Sequence, residues 1–312
     1  MSNTPRILLD CDPGHDDAMA IVAAARYAEL VGITTVSGNA PLERTTYNAR
    51  VMRDLLGIDV PMHSGSSRPL LSEPHFGALV HGDSGLDGAD LPAPTTALDG
   101  TDAVTFIIDT CRSLDDVWLV PVGPLTNIAL ALRSAPDIAA RIAGISLMGG
   151  GTFGNRTSTG EFNIWADPEA AAIVFGYGGR LVMAGLDVTH QFQATPERIA
   201  RIAALPGTLA AVFADLFEFF SGNYLARHDP GSLQGAAVHD PLAVLVLTHP
   251  HLFDRAEHHV AIETRGEFTR GMTVIDRRRI TQRAAPNCEV LTRVDHDAAF
   301  DLLIDAVGHF SH

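Results

Sequence analysis

Residues 6–18 read Arg-Ile-Leu-Leu-Asp-Cys-Asp-Pro-Gly-His-Asp-Asp-Ala, and the change from strand to helix within them sets the architecture. The start, Arg6–Asp10, is an apolar run typical of a short buried strand, and a Pro-Gly turn follows it. The alanine-rich segment from Asp16 to Glu29 predicts a helix, and the β-branched run Val31–Val36 predicts a second strand. A strand, a helix and a strand in this order indicate two parallel strands joined by a crossover helix.

The same alternation continues along the chain. Further strands are predicted at Val117–Val122, Ile142–Met148 and Arg180–Ala184, and further helices at Leu42–Leu56, Leu125–Arg133 and Pro168–Phe175. The second half is less regular, with predicted helices over Thr195–Tyr224 (interrupted near Pro206-Gly207), Asp240–Leu247 and Asp297–Val307, and predicted strands at Val260–Glu263, Met272–Ile275 and Glu289–Val294. The pattern predicts one α/β domain over residues 1–312, built on an open, mostly parallel, Rossmann-like sheet flanked by helices. In such sheets the active site lies at the carboxyl ends of the strands.

The composition bounds the class of protein. Hydrophobic residues make up 46% of the 312 residues, which is enough for a substantial core. The formal net charge of −15 repels phosphate backbones, so no nucleic-acid partner is expected. Three widely separated cysteines, Cys11, Cys111 and Cys288, argue against a disulfide framework and a zinc site of CxxC spacing. Because Met1–Arg6 lacks a signal-peptide layout and no apolar run approaches about 20 residues, a cytoplasmic location without membrane contact is expected.

Four carboxylates occur within the eight residues Asp10–Asp17, where the first strand ends and the first helix begins. Such crowding is unfavourable unless a positive charge neutralises it, and a helix N-terminus offers only about half a charge. A helix cap at Asp16 and a strand-end acceptor at Asp10 would explain one or two of these acids, but not all four. The cluster therefore indicates a bound divalent cation, with Asp240 as a further candidate ligand. Hard oxygen ligands favour Ca²⁺ or Mg²⁺ over zinc, and several carboxylates combined with backbone carbonyls favour Ca²⁺.

Eight short motifs resemble, in order, the signature segments of the inosine-uridine preferring nucleoside hydrolase family. They are residues 10–20 (DCDPGHDDAMA), 38–39 (GN), 81–86 (HGDSGL), 123–127 (GPLTN), 148–151 (MGGG), 161–163 (EFN), 167–169 (DPE) and 239–241 (HDP). Each motif is weak alone, whereas the ordered set is specific, and the resemblance runs from about Arg6 to Leu247 with a looser C-terminal part. It implies an enzyme that hydrolyses the N-glycosidic bond of ribonucleosides and releases a nucleobase and ribose.

The resemblance also implies which residues hold the metal and activate water. Asp12, Asp17, Asp240 and the main-chain carbonyl of Val122 would ligate one Ca²⁺ per subunit, and Asp10 would support them from behind. Asp12 would take the proton of the attacking water as general base. The anomeric carbon would then develop oxocarbenium character, which the nearby carboxylates stabilise.

Substrate contacts follow from the same resemblance. Asp16, Asn39 and Asn163 resemble contacts to the 2′ and 3′ hydroxyls, and Asn155 and Glu161 resemble contacts to the 5′-hydroxyl. His239, next to a metal ligand, resembles the proton donor to the leaving base, a role that suits an imidazole titrating near neutrality. The remaining candidates are His81 at the base, Tyr224 with Arg227 and His228 as a mobile lid, and Met148 and Phe162 packed against the sugar or base. For His81 a mobile exposed side chain, and for Met148 and Phe162 ordinary core packing, are the alternative interpretations.

Two other functions are weighed against nucleoside hydrolysis. A phosphohydrolase with a DxD motif also begins with a strand, but it uses an aspartate nucleophile and Mg²⁺. A non-catalytic nucleoside- or sugar-binding protein would need the ribose contacts but no activated water. Base preference has no readable pattern, although the absence of tryptophan from Tyr224–Gln234 mildly disfavours a specialist that stacks purines. Assembly as a homodimer or homotetramer is expected by analogy only.

Overall fold

The structure, a computed structural model, describes residues 4–229, 231–279 and 284–311. Its first half runs β1 (Arg6–Cys11), α1 (His15–Tyr27), β2 (Glu29–Thr35), α2 (Leu42–Leu56), β3 (Met62–Ser64), α3 (Ala78–His81), α4 (Ala103–Ser113), β4 (Val117–Pro121), α5 (Thr126–Ser134) and β5 (Gly144–Met148). Its second half runs α6 (Phe162–Ala166), α7 (Pro168–Phe175), β6 (Leu181–Ala184), α8 (Leu186–Thr189), β7 (Gln193–Ala194), α9 (Pro196–Ala203), α10 (Thr208–Leu225), β8 (Ala236–Ala237), α11 (Pro241–Thr248), β9 (Phe253–Ile262), β10 (Thr273–Asp276), β11 (Cys288–Val294) and α12 (His296–Phe310).

Nine strands of the described residues form one sheet in the order β10-β9-β11-β6-β5-β4-β1-β2-β3. β1 lies inside the sheet and pairs in parallel with β2 on one side and β4 on the other. The pairs β2–β3, β4–β5, β5–β6 and β6–β11 are also parallel, and only the pairings of β9, with β10 and with β11, are antiparallel in this sheet. The predicted open, mostly parallel α/β sheet is therefore confirmed.

The strand order reverses between β1 and β4, and this reversal positions the site. From β1 the chain proceeds outward through β2 and β3, and it then returns to the other side of β1 as β4. Connections that leave neighbouring strands toward opposite faces of a sheet open a crevice at the carboxyl ends of those strands. The acid-rich segment follows β1, and the GPLTN motif follows β4, so both border this crevice.

Helices cover both faces of the sheet, as the apolar residues of β1 require. Ile7, Leu8 and Leu9 are all fully buried. Ile7 and Leu9 pack into a cluster with α1, α2, α10, α11 and α12, whereas Leu8 points to the opposite face, toward α4, α5 and α7. A strand that is apolar on both faces is typical of a parallel sheet sandwiched between helices.

Several predicted boundaries are wrong. The first helix was expected to reach Glu29, but it ends at Tyr27, because Glu29 already pairs with Arg6 in the sheet. The strand predicted at Val260–Glu263 is the end of the longer β9, whose polar, half-exposed side chains hide its extent from the hydrophobic pattern. The short edge strand β3 and the helix α4 were not predicted. The predicted interruption of the long helix is confirmed, because α9 ends before Pro206 and α10 begins after Gly207.

No helix within the described ranges is both long enough and apolar enough to span a bilayer.

Candidate active site

Five aspartates converge at the carboxyl ends of β1 and β4. Asp10 lies within β1, Asp12 follows it, Asp16 and Asp17 occupy the first turn of α1, and Asp240 immediately precedes α11. All five are buried, with at most 5% of their surface exposed. Carboxylate oxygens of Asp16, Asp17 and Asp240 lie within 4.8 Å of one another, although more than 220 residues separate the last from the first two.

Asp17 is fixed by main-chain and amide donors. Its Oδ1 accepts a hydrogen bond from the main-chain N–H of Asp12 at 3.0 Å. Its Oδ2 accepts from the main-chain N–H of Gly14 and from Nδ2 of Asn39, both at 3.0 Å. These bonds tie the first turn of α1 to the loops after β1 and β2, so they hold the Asp17 carboxylate in one orientation.

Asp12 has one satisfied and one free carboxylate oxygen. Oδ2 accepts from the main-chain N–H of Asn39 at 2.6 Å, whereas Oδ1 is buried and has no hydrogen-bond partner among the described residues. The carboxylate lies between Gly38 and Gly123, where a Cβ would come within 2.1 Å of Oδ2 and 2.3 Å of Oδ1, respectively. These glycines therefore provide the space for Asp12, and its free Oδ1 is available to a ligand or a proton.

Asp10 faces away from the cleft and binds its neighbours. Its Oδ1 accepts from Oγ1 of Thr34 at 2.6 Å and from Nδ2 of Asn127 at 2.8 Å. The same amide group also donates to the main-chain carbonyl of Thr35, so Asn127 of the GPLTN motif links β1 to β2. This placement is compatible with the supporting role predicted for Asp10.

Burial opposes the ionisation of every acid in this group. Burial, and secondarily the charge of Asp17, raises the pKa of Asp16 to about 8. Burial raises the pKa of Asp10 to about 7, against the lowering effect of its two side-chain donors. The pKa values of Asp12, Asp17 and Asp240 are also raised, first by burial. Several ionised carboxylates at this spacing therefore require a neutralising cation, which agrees with the charge argument made from the sequence.

A cavity of about 230 Å³ opens above the aspartates. Its lining includes most of the predicted site residues: Asp16, Asn39, His81, Val122, Met148, Asn155, Glu161, Phe162, Asn163, Tyr224, His239 and Asp240. Asp10, Asp12 and Asp17 lie beneath this lining instead of in it. The structure thus brings together residues that are spread over more than 220 positions of the sequence.

One wall of the cavity is organised by Glu161 and Asn163. Glu161 caps α6, because its two carboxylate oxygens accept main-chain N–H groups of Asn163, Ile164 and Gly150 at 2.9–3.1 Å. Nδ2 of Asn163 donates to the main-chain carbonyl of Val122 at 2.8 Å. Oδ1 of Asn155 accepts from the main-chain N–H of Phe162 at 2.9 Å. These polar groups are held in place by the fold before any ligand binds.

Another part of the cavity lining carries a cluster of imidazoles around Tyr224. Nδ1 of His239 lies 2.7 Å from Oγ1 of Thr189, and its Nε2 lies 3.1 Å from the Tyr224 hydroxyl. Burial, followed by the neighbouring His190 and His228, lowers the pKa of His239 well below its usual value. The sequence argument used the ordinary pKa of an imidazole, and burial in the fold lowers the pKa of His239 from that value.

Two further expectations need correction or extension. Tyr224, predicted to belong to a mobile lid, lies in α10 with 5% of its surface exposed and forms part of the cavity wall, and the lid itself stays a prediction. His81 was weighed as an exposed side chain, but it is 7% exposed and contacts His15. The sequence interpretation missed His15, Thr189, His190 and Phe220. Only His15 had an available signal, since it lies inside the acid-rich motif.

Comparison with known proteins agrees with this geometry. The family model described as inosine-uridine preferring nucleoside hydrolase matches residues 7–301. The cleft lies above buried aspartates where the strand order of the α/β sheet reverses. This geometry and the family match together define a hydrolase of N-glycosyl compounds. The chain belongs to the inosine-uridine preferring nucleoside hydrolase family.

Relatives are similar over almost their whole length. The chain is 43% identical to the pyrimidine-specific ribonucleoside hydrolase RihA of Shewanella sp. (strain MR-4), covering 98% of this chain and 96% of the relative. It is also 43% identical to the protein of the same name from Escherichia coli (strain SMS-3-5 / SECEC), covering 98% and 99%. The solved structure of a purine-preferring ribonucleoside hydrolase from Gardnerella vaginalis superposes with a TM-score of 0.91 at 33% identity, covering 98% and 99%.

Proposed function

We propose that this enzyme hydrolyses pyrimidine ribonucleosides, such as uridine and cytidine, to the free base and ribose in a Ca²⁺-dependent reaction. The observation that carries the proposal is the convergence of Asp16, Asp17 and Asp240 under a cleft lined by amides and imidazoles. The pyrimidine preference is supported by the name of the relatives with 43% identity. It is also supported by the cleft wall, which contains no tryptophan among its described residues.

The donor set fits a hard divalent cation. Asp12, Asp17, Asp240 and the carbonyl of Val122 would hold Ca²⁺, because oxygen ligands of mixed carboxylate and carbonyl type suit this ion. The free Oδ1 of Asp12 and the raised pKa values of the aspartates both indicate a missing positive charge. Calcium held there would lower the pKa of a coordinated water and offset the repulsion among the carboxylates.

Asp12 acts as the general base. A water molecule attacks the anomeric carbon, loses a proton to Oδ1 of Asp12 and forms the new C–O bond as the bond from carbon to the base nitrogen breaks. Oδ2 remains fixed by the main-chain N–H of Asn39, so the carboxylate does not rotate during the transfer. Positive charge develops on the ribose ring, and the buried carboxylates stabilise it in a low-dielectric site.

Ribose is oriented by the residues of the cleft wall. Asp16, Asn39 and Asn163 bind the 2′ and 3′ hydroxyls, and Asn155 and Glu161 bind the 5′-hydroxyl. Because Glu161 already accepts three main-chain N–H groups, its carboxylate is rigid and can accept a hydroxyl without reorganising. Met148 and Phe162, which both line the cavity, supply apolar contact to the sugar.

The leaving base receives a proton through His239. Its Nε2 contacts the Tyr224 hydroxyl, which also lies 3.3 Å from Nε2 of His190, so a hydrogen-bonded chain runs along this wall. In the free protein burial keeps His239 neutral. We infer that the departing base takes a proton from His239 as its negative charge develops, and that His239 regains one proton from solvent through Tyr224 and His190.

The decisive experiment is a hydrolysis panel of uridine, cytidine, inosine, adenosine and guanosine, read as kcat/KM, with uridine 5′-monophosphate as a control for phosphate release. Hydrolysis of uridine and cytidine at least about tenfold above the purine nucleosides is expected, corresponding to roughly 1.4 kcal/mol of discrimination. A purine preference would overturn the base assignment. Phosphate release, or binding of nucleosides without turnover, would overturn the whole proposal.

A further inference from the structure

His15 is a buried imidazole of the acid-rich motif that the mechanism above does not use. It is the first residue of α1 and has no exposed surface. Its Nε2 lies 2.8 Å from the main-chain carbonyl oxygen of Asp87, and its Nδ1 lies 3.0 Å from Nδ1 of His81. Its ring stacks on Phe220 at 5.0 Å with an interplanar angle of 3°. His15 therefore joins the helix that carries Asp16 and Asp17 to the segment that carries His81.

These contacts determine which nitrogen of each ring carries hydrogen. A carbonyl oxygen only accepts, so Nε2 of His15 must be its N–H donor. In a neutral imidazole Nδ1 of His15 is then an acceptor, and the proton in the 3.0 Å contact belongs to Nδ1 of His81. The two Nδ1 atoms lie 3.0 Å apart, which leaves room for only one proton between them. The main-chain N–H of His15 also lies 3.4 Å from Nδ1 of His81, but a protonated Nδ1 cannot accept it, so the two shorter contacts of 2.8 and 3.0 Å decide the tautomer.

The remaining nitrogen of His81 is not used by its protein neighbours in the described part of the chain. His81 lines the cleft together with Phe220 and Tyr224, and its Nε2 has no hydrogen-bond partner among the described residues. With the proton on Nδ1, Nε2 presents a lone pair. Such a group accepts a hydrogen bond from an N–H of a base, and both uracil (N3–H) and cytosine (exocyclic amino group) offer one.

We propose that His15 is a positioning residue that holds His81 in the orientation and tautomer in which Nε2 accepts a hydrogen bond from the substrate base. The inference rests on the proposed nucleoside hydrolysis and assigns to it a determinant of base recognition. His15 itself has no contact with the cleft, so it acts only through His81.

Gly14 makes the close approach of the two imidazoles possible. A Cβ on Gly14 would lie 2.6 Å from Nδ1 and 2.8 Å from Cε1 of His81, well inside contact distance. The φ of Gly14 is −101°, which other residues adopt, so the requirement for glycine is the space occupied by the His81 ring and not the backbone conformation. Gly14→Ala therefore displaces His81 and leaves both imidazoles chemically intact. The added Cβ would also lie 3.0 Å from Nδ2 of Asn39, whose proposed ribose contact is common to all riboside substrates, so only the ratio between two ribosides with different leaving groups reports on His81.

The test is His15→Phe, which keeps a ring to stack on Phe220 and removes both imidazole hydrogen bonds. Uridine and p-nitrophenyl riboside are compared, because p-nitrophenolate leaves readily and has no base N–H for His81. The expected result is a loss of about 10- to 100-fold in kcat/KM for uridine, the effect of one lost buried hydrogen bond, with a change below about threefold for p-nitrophenyl riboside. Gly14→Ala should shift the ratio of the two substrates in the same direction.

A double variant shows whether His15 acts through His81. Once His81→Phe has removed the acceptor, adding His15→Phe should cause no further loss on uridine, whereas independent roles would multiply. His63→Phe is the matched control. His63 lies in β3, outside the cleft lining, and its ring stacks on that of Phe106 with the centroids 4.1 Å apart. It should leave both substrates unaffected.

The outcomes separate the two proposals. If the wild-type enzyme hydrolyses no ribonucleoside, the proposed function itself fails. If the wild type hydrolyses uridine but His15→Phe and Gly14→Ala lower both substrates equally, or if the losses of His15→Phe and His81→Phe multiply, the positioning role is wrong. If His15→Phe does not fold, the proposal is tested with Gly14→Ala, by the ratio of its kcat/KM for uridine to its kcat/KM for p-nitrophenyl riboside.

Discussion

The hydroxyl of Tyr224 lies 3.1 Å from Nε2 of His239, and the same oxygen lies 3.3 Å from Nε2 of His190. A hydroxyl carries one proton, so Tyr224 can donate to only one of these rings and must accept from the other. The three groups therefore form a directed chain in which moving one proton changes the state of the next. Phe220 and His228 pack against the Tyr224 ring and hold it in place.

Tyr224→Phe should interrupt this chain and keep the aromatic packing. We expect kcat for uridine to fall by about 10- to 100-fold, within the range of one proton-transfer contribution, because the base departs without assistance. His239→Ala should give at least as large a loss. Both variants are measured with uridine and p-nitrophenyl riboside, and equal losses on the two substrates would contradict the leaving-group role. These variants should lower kcat more than they raise KM, because they act on the departure of the base and not on its binding.

Asp12→Asn should abolish most of the turnover without unfolding the protein. The side chain keeps its shape between Gly38 and Gly123, and an amide oxygen can still accept from the N–H of Asn39. Loss of the general base should lower kcat by about 10²- to 10⁴-fold. Asp54→Asn, at the distant end of α2, is the control and should not change kcat. Turnover by Asp12→Asn within tenfold of wild type would refute the assignment.

Calcium should stabilise the folded protein as well as activate it. A ligand that binds only the native state adds about 2.7 kcal/mol to the free energy of unfolding at a hundred times its Kd. We therefore expect EDTA to lower the melting temperature and added Ca²⁺ to restore it. In Asp240→Asn, which removes one buried carboxylate of the group, the response to Ca²⁺ should be much smaller. An identical response in wild type and Asp240→Asn would place the ion elsewhere.

The stability of the metal-free protein should depend on pH through Asp10. Its pKa in the folded protein is raised to about 7 from 3.8, so the folded state holds a proton that the unfolded state releases. Asp10 therefore makes its full contribution to the free energy of unfolding below about pH 4, and this contribution is lost as the pH rises toward 7. The free energy of unfolding changes through Asp10 by at most about 1.4 kcal/mol per pH unit. Urea midpoints in EDTA between pH 5 and pH 8 measure this slope.

Asp10→Asn is the matched variant for this measurement. The amide oxygen can accept from Thr34 and Asn127, and the amide nitrogen replaces Oδ2, which has no partner among the described residues. The slope should become shallower than in wild type because one titrating group is removed. An unchanged slope would show that Asp10 does not hold the proton in the folded state.

Much of the fold and part of the site could be predicted because the signals are local. The apolar run of β1 and the acids that follow are contiguous, so the strand, the turn and the charge cluster are visible together. The extent of β9 could not be predicted, because it lies near the edge of the sheet and its exposed positions tolerate polar residues. The end of α1 was misplaced for a related reason, since pairing of Glu29 with Arg6 competes with a helical pattern that continues.

The acid cluster near the N-terminus and the family motifs are properties of the sequence by itself, because like charges at that density demand a counter-charge in any fold. Tertiary structure alone decided that Asp240 joins Asp16 and Asp17, since α11 must pack against α1 before these carboxylates can meet. It also decided that Tyr224 is part of the cavity wall and that His15 contacts His81. In the same way, only the fold buries His239 and so lowers the pKa of its imidazole. Desolvation and hydrogen-bond direction depend on which groups surround a side chain in space, and no spacing along the chain encodes those neighbours.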